Sequence, residues 1–177
     1  MLIYEVLSRD HDRIKKKLDA LLMLADDAVD ECIDLIHQVR DSLIPHLRAE
    51  EAVFYNSLQA ADIGGTIHPS HFADHQDLEN ALHALLITDP SDGGWRELTL
   101  QLKREFNEHR QSEEQELYLA AQELLTDEEA ISLGKAFERM RPRILKTGLS
   151  QNTYDAVSLL MPKRFTQTLS YRSHSRT

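Results

Sequence analysis

Two segments of this chain repeat one short motif, His-x3-Glu-Glu with a Tyr four residues after the second Glu. The first copy runs from His46 to Tyr55, and the second, 63 positions later, runs from His109 to Tyr118. In an α-helix, residues four apart lie one above the other on the same face. Each segment therefore presents an imidazole and a carboxylate to the same point, and two such pairs that converge predict a dinuclear metal site.

The similarity extends into the segment that precedes each motif. Residues 10–22 resemble residues 74–86, and both stretches begin with Asp-His. The chain thus reads as two copies of one helical hairpin, each with one His on its first helix and His-x3-Glu on its second. His71 breaks the symmetry, because its counterpart in the first copy is Leu7. The candidate metal ligands are five histidines and two glutamates: His11, His46, Glu50, His71, His75, His109 and Glu113.

Helical periodicity dominates the chain, and Gly and Pro are few. We predict four long helices near 2–24, 29–60, 67–87 and 94–125, separated by turns near 25–27, 63–65 and 89–94. Thr126-Asp-Glu-Glu is a capping-box start for a fifth helix that continues to about residue 146. Pro45 lies inside the second helix, where we expect it to produce a kink.

The apolar stripe of each long helix is interrupted by His or Glu at the spacing that faces a core. The predicted inward positions of the first two helices are Ile3, Leu7, His11, Ile14, Leu18, Leu21 and Ile36, Val39, Leu43, His46, Glu50, Val53. Those of the next two are Ile67, His71, His75, Leu78, Leu82, Leu85 and Leu98, Leu102, Phe106, His109, Glu113, Leu117, Ala120, Leu124. Counted from the turns at about 1.5 Å per residue, these interruptions fall in one layer of an antiparallel bundle. A buried layer of this kind favours a bound cation, and its size favours two, because buried carboxylates are costly unless paired or bound to metal.

Composition narrows the function classes. The net charge of -10 argues against nucleic acid as the main partner, since phosphate binding needs a basic face. The 177 residues contain no apolar run of membrane-spanning length, and the N-terminus lacks a secretory signal pattern. With Cys32 as the single cysteine, no intrachain disulfide or thiolate cluster is expected. We therefore expect a soluble, cytoplasmic protein.

The donor set bears on the metal. Imidazole and carboxylate without thiolate suit iron, zinc, copper or manganese. Seven ligands exceed the needs of one tetrahedral zinc and suit two octahedral ions. Among the other histidines, His37 is interpreted as a surface residue and His174 as part of the tail, whereas His68 and His83 are candidates for positions around the ligands.

On these motifs the chain resembles the hemerythrin-like family with its HHE cation-binding domain, over about residues 1–125. The resemblance implies an all-α, up-down-up-down four-helix bundle, which with the fifth helix occupies residues 1–147. It also implies two iron ions in a non-heme centre bridged by Glu50 and Glu113. His71, His75 and His109 would then bind one iron, and His11 and His46 the other.

One departure from the family bears on function. Oxygen-carrying hemerythrins end with His-x4-Asp, whereas here His109 is paired with Glu113 and Glu114 stands at the x4 position. This favours the broader HHE group, for which three functions stay open. They are a module that binds or senses O2 or NO, an enzyme acting on nitric oxide or peroxide with Tyr55 and Tyr118 as donors, and labile iron storage or delivery for iron–sulfur repair.

The segment 148–177 is basic, whereas the chain as a whole is acidic. Its basic residues are Lys163, Arg164, Arg172 and Arg176, and its one acidic residue is Asp155. We interpret it as a C-terminal extension that docks on its own chain. The alternatives are contact with a second subunit in a homodimer and binding of an acidic protein partner.

Overall fold

The helical periodicity of the sequence is realised throughout the computed structural model, which describes residues 1–61, 69–148 and 150–166. These residues contain α-, 3-10- and π-helical turns and no strand. In chain order the α-helices are α1 Ile3–Leu22, α2 Val29–Glu50, α3 Asn56–Ala61, α4 Pro69–Ile87, α5 Trp95–Ser112, α6 Tyr118–Leu124, α7 Asp127–Thr147, α8 Gln151–Ser158 and α9 Lys163–Thr166. None of the helices in the described part of the chain has the length and apolar character needed to span a bilayer.

The helix ends follow the local signals of the sequence. At the start of α7, the Glu129 N–H donates to Thr126 Oγ1 at 3.3 Å and the Thr126 N–H donates to Glu129 Oε2 at 2.9 Å. This reciprocal pair confirms the predicted capping box. Helix α2 continues through Pro45 to Glu50. The predicted turn at 63–65 and the predicted start of the third helix at 67 lie outside the described residues.

Two π-helical turns, Glu51–Tyr55 and Glu113–Leu117, interrupt the second and fourth predicted helices. The Asn56 N–H donates to the carbonyl of Glu51, and the Tyr118 N–H donates to that of Glu113, so each bond spans five residues. A π turn therefore holds one more residue than the α turn it replaces. The helix that follows it is displaced by one residue relative to a continuous α-helix.

This displacement corrects the predicted inward face of the fourth helix. Ala120 and Leu124, which were expected to face the core, are half-buried, whereas Ala121 and Leu125 are buried at 0% and 8% exposure. The change is one residue in each case, as the extra residue of the π turn requires.

The start of the same helix also departs from the prediction. Leu98 is half-buried, and the buried positions of the first turns are Trp95 and Thr99. The large Trp95 ring, 1% exposed, occupies the inward position and sets the face that continues to Leu102. In the first three of the four predicted long helices, every inward residue that the structure describes is buried, which confirms those apolar stripes.

The chain divides into two compact units. The first unit takes its described residues from Met1–Val6, Pro45–Ile67 and Ala120–Thr177. Within it, α7 packs against the first π turn and against α8. Gly134 allows α7 to approach the start of the chain, because a Cβ added there would lie 2.7 Å from the Met1 carbonyl oxygen.

The predicted docking of the C-terminal extension on its own chain is seen in α9, which belongs to the first unit. Arg164 Nη2 donates to Glu129 Oε2 at 2.6 Å and to the Leu124 carbonyl at 3.0 Å, and Phe165 is fully buried. Helix α9 also packs against α3. Arg172 and Arg176, the other basic residues invoked for this segment, lie outside the described residues.

The second unit comprises Leu7–Ile44 and the described part of His68–Leu119. Its α4 and α5 form an extensively packed hairpin. Arg96 ties the start of α5 to the end of α1, since its guanidinium donates to the Leu22 carbonyl at 2.7 Å and to the Leu24 carbonyl at 2.8 Å. This unit positions five of the seven candidate ligands.

Candidate metal centre

Glu113 is the central carboxylate of the second unit. It is fully buried, and its Oε2 lies 3.4 Å from His11 Nε2 and 3.6 Å from His109 Nε2. Helix α1 supplies His11, and the last turn of α5 together with the π turn that follows it supplies His109 and Glu113. The i,i+4 spacing therefore brings the second copy of the motif to a common point, together with an imidazole from another helix.

These separations fit ligands of a shared cation. They are longer than an ordinary hydrogen bond of about 2.7–3.2 Å. Two donor atoms at about 2.1 Å from one ion, at angles between 90° and 110°, lie about 3.0–3.4 Å apart. The His11–Glu113 separation of 3.4 Å is at the top of this range, and the His109–Glu113 separation of 3.6 Å is just above it. The donor chemistry also fits, because a buried carboxylate supplies charge and the imidazoles supply nitrogen ligands.

His75 on α4 joins the same cluster. Its ring centroid lies 4.9 Å from that of His109, and one donor atom from each of His75, His109 and Glu113 lies within 4.8 Å of the others. The rings of His11 and His109 lie 5.7 Å apart at 79°. Three helices thus bring three imidazoles to one buried carboxylate.

His71, one turn before His75, lies where this cluster approaches solvent. Its Nε2 is 4.0 Å from Glu116 Oε2 in the second π turn. The Glu116 side chain is 67% exposed, whereas that of His71 is 4% exposed. The pKa of the nearby Asp74 is raised: burial is the main cause, the interaction with His71 acts in the opposite direction, and the charges of Asp77 and Glu108 add to the rise.

The structure distinguishes Glu113 from its neighbour Glu114. Arg110 Nε donates to Glu114 Oε1 at 2.7 Å, and the Glu114 side chain is 35% exposed. Arg110 also donates to Asp12 Oδ1 at 2.9 Å. Glu114 therefore belongs to a surface ion-pair network, while Glu113 lies among the histidines.

The first unit holds the other copy of the motif. His46 and Glu50 are fully buried, and His46 Nε2 lies 3.5 Å from Glu50 Oε2. The His46 ring packs edge-on against Phe137 of α7, with ring centroids 5.7 Å apart. Burial lowers the pKa of His46 to about 3, so its imidazole is neutral near pH 7 and has a lone pair to offer a metal.

The remaining histidines and the two tyrosines of the motif have simpler environments. His37 is exposed, as predicted. His83 is also exposed, so it does not lie among the buried residues around the ligands. His68 and His174 lie outside the described residues. Tyr55 is fully buried and Tyr118 is 7% exposed, which agrees with packing roles for both rings.

Sequence reasoning missed three features of these surroundings. The π turns lie within the two copies of the motif, and nothing in the spacing of the motif distinguishes a π turn from an α turn. Phe137 lies on α7, outside the repeated hairpins, and nothing in its local sequence connects it with His46. Glu116 is one of three glutamates in a four-residue stretch, and spacing alone does not separate it from the other two. Its position beside His71 lies in the π turn.

Comparison with known proteins agrees with this donor set. A family model described as the hemerythrin HHE cation binding domain matches residues 2–121. A crystal structure of a hemerythrin HHE cation binding domain-containing protein from Mycobacterium kansasii is similar at 23% identity, with a TM-score of 0.71. The match covers 96% of this chain and 99% of that one, and at this identity the likeness concerns the fold. It confirms the predicted all-α helical bundle. No match is found among curated proteins.

Proposed function

Because the chain belongs to the hemerythrin HHE cation-binding domain family, we propose that it is a non-heme di-iron protein that binds or senses O2 or NO. The observation that best supports this proposal is the position of Glu113. Its side chain is fully buried, and its Oε2 lies within 3.6 Å of imidazole nitrogens from two helices. The family binds cations, and the His and Glu groups of this chain are able to hold them.

We assign seven residues as the iron ligands: His11, His46, Glu50, His71, His75, His109 and Glu113. Glu113 is assigned a bridging role on the family resemblance, which places His11 and His109 on different irons, and its carboxylate lies beside both imidazoles. The closeness of His75 to His109 supports their assignment to one ion together with His71. His46 and Glu50 are assigned to the same centre on the sequence repeat alone.

Bound iron would supply the electrons and the open coordination position for a diatomic ligand. The side chains around the ligands would keep water away from the metal ions and offset their charge. Phe106 packs against the rings of His11 and His109, at centroid distances of 5.6 and 6.3 Å, and excludes water from that side. The carboxylates offset the ionic charge, and the neutral imidazoles complete the ligand set without adding charge.

A binding or sensing role is preferred to reversible oxygen carriage for a reason specific to this chain. The residue at the x4 position after His109, where oxygen carriers have Asp, is Glu114, and it is paired with Arg110. The carrier pattern therefore requires a carboxylate that this chain uses in a surface ion pair. This favours the broader HHE group.

Metal analysis and absorption spectroscopy of the purified protein test the proposal. We expect about two irons per chain, and an absorption change with O2 or NO that reverses when the gas is removed. Oxidation by air or peroxide that does not reverse, with turnover of the oxidant, would replace binding by enzyme chemistry. Ready transfer of iron to a chelator or an apo acceptor would favour storage or delivery. A chain with no metal or with a single zinc would refute a di-iron centre.

A further inference from the structure

The two copies of the repeat differ at a pair of positions next to the ligands. In the second copy these are His71 and Glu116, which lie 4.0 Å apart. Their counterparts in the first copy, by the offsets of the repeat, are Leu7 and Val53. Both of these apolar side chains are fully buried. A polar pair thus occupies, in one copy, the two positions that hold buried apolar side chains in the other.

The polar pair joins solvent to the buried ligands. Glu116 has a 67% exposed side chain, and the His71 imidazole it approaches is 4% exposed. The side chains of His11, His109 and Glu113 in the same unit are exposed by at most 1%. His71 is therefore the outermost of these ligands, and Glu116 is the carboxylate beside it in solvent.

The surroundings of this pair carry negative charge. Asp74 and Asp77 on α4 and Glu108 on α5 interact electrostatically, and Asp74 also interacts with His71. A surface of one sign that leads to a low-dielectric site raises the local concentration of the opposite ion. A divalent cation approaching here meets the exposed Glu116 carboxylate before the His71 imidazole.

We propose that Glu116 and His71 form the entrance by which a divalent metal ion reaches and leaves the centre. Glu116 captures the hydrated cation, and His71 replaces part of its water shell as the ion passes to the buried donors. The proposal rests on the proposed metal centre. It adds a route, on the second copy of the repeat, and assigns Glu116 a role in exchange rather than in final coordination.

An entrance residue and a ligand are distinguishable by kinetics. Changing an entrance alters uptake and release together and leaves final occupancy unchanged, whereas removing a ligand lowers occupancy. The variant Glu116→Gln removes the charge and keeps the side-chain volume. Glu97→Gln is the matched control, because Glu97 is another exposed glutamate of the same unit, in the first turn of α5.

The measurement is anaerobic Fe²⁺ uptake by the metal-free full chain, sampled by timed desalting and metal analysis, followed by release to a coloured ferrous chelator. We expect Glu116→Gln to slow both processes roughly threefold to tenfold at low salt. The difference should shrink at high ionic strength, because the attraction is screened. Final iron content should equal that of the wild type, and Glu97→Gln should behave as the wild type.

Two results would overturn the entrance. Rates in Glu116→Gln equal to those of the wild type would show that the cation takes another path. A lower final iron content would make Glu116 a ligand. If the wild-type chain itself takes up no iron, the metal centre has failed, whereas a wild type that loads normally beside an unaltered Glu116→Gln refutes the entrance alone.

Discussion

The two His-x3-Glu motifs are nearly the same in sequence but have different neighbours in space. In the first, the His46 ring packs against Phe137, an aromatic side chain of α7. In the second, the His109 ring lies beside the imidazoles of His11 and His75. The motif alone orients one imidazole and one carboxylate, and the packed helices decide what completes each pair.

The difference shows how a symmetric repeat acquires an asymmetric centre. In the first copy, Phe137 of α7, a helix from outside the repeat, packs against the histidine. The second copy has one additional candidate ligand, His71, and beside it a carboxylate that is exposed to solvent. The two hairpins therefore share the motif but differ in the residues that lie next to it.

The largest expected effect comes from removing the two motif carboxylates. We expect Glu50→Ala and Glu113→Ala each to lose most of one metal equivalent and to lower the melting temperature of the loaded protein, because the buried imidazoles lose the counter-charge that holds the cation. Metal analysis and thermal melts with and without metal test this, and unaltered iron content in both variants would remove the two glutamates from the centre.

Gly134→Ala tests how far the first unit depends on α7. The added Cβ would lie 2.7 Å from the Met1 carbonyl oxygen, so the backbone must shift. We expect a loss of about 1–3 kcal/mol in the free energy of unfolding, measured by denaturant titration. Gly94→Ala is the control in the second unit, because its Cβ would meet only Thr88 Cγ2 at 3.9 Å and φ is not positive. Equal losses in both variants would contradict a packing cause.

Arg164→Gln tests the docking of α9 by its pH dependence. Burial raises the pKa of Glu129, but the hydrogen bonds from Arg164 and the Thr126 backbone outweigh it and hold the pKa below its usual value. Glu129 therefore contributes stability that is full above its unfolded pKa and is lost as pH falls below it. We expect the metal-free variant to lose about 0.5–1 kcal/mol at pH 7 and to show a shallower acid decline than the wild type. The exposed neighbour Lys163→Gln should keep the wild-type profile, and identical acid profiles for Arg164→Gln and the wild type would contradict the contact.

The smallest effects should come from the second glutamates of the motif. Glu114 is paired with Arg110, and Glu51 Oε2 lies 3.4 Å from Arg48 Nη1. Such partly exposed pairs contribute less than about 1 kcal/mol, so Glu51→Ala and Glu114→Ala should keep full iron content. Loss of iron in Glu114→Ala but not in Glu113→Ala would reverse the assignment and favour the oxygen-carrier pattern.

Much of the fold and of the site could be predicted from spacing alone. All seven candidate ligands are buried, and the family and the all-α bundle are confirmed. Spacing was sufficient because a polar side chain in an apolar helical stripe is costly unless the core has a use for it. The seven-ligand assignment, the iron and its bridging glutamates stay predictions, as do the boundary at residue 148 and the cytoplasmic location.

The limits of spacing are visible at the π turns and at the C-terminal extension. A continuous α pattern placed Ala120 and Leu124 inward, but the π turn moved the inward face to Ala121 and Leu125. The docking of Arg164 on Glu129 joins residues 35 positions apart. Neither feature follows from α-helical periodicity, because the π turn departs from that period and the docking joins residues far apart in the sequence.

The amino-acid sequence alone determined the long helices, most of their inward positions before each π turn, and the His and Glu residues that interrupt those faces. These are properties of one helix and its nearest neighbours in sequence. Packing in three dimensions decided that Glu113 lies among histidines while Glu114 pairs with Arg110, that Phe137 covers His46, and that Glu116 reaches His71. These contacts depend on which helices pack against one another and on the one extra residue in each π turn. The periodicity of a single helix specifies neither.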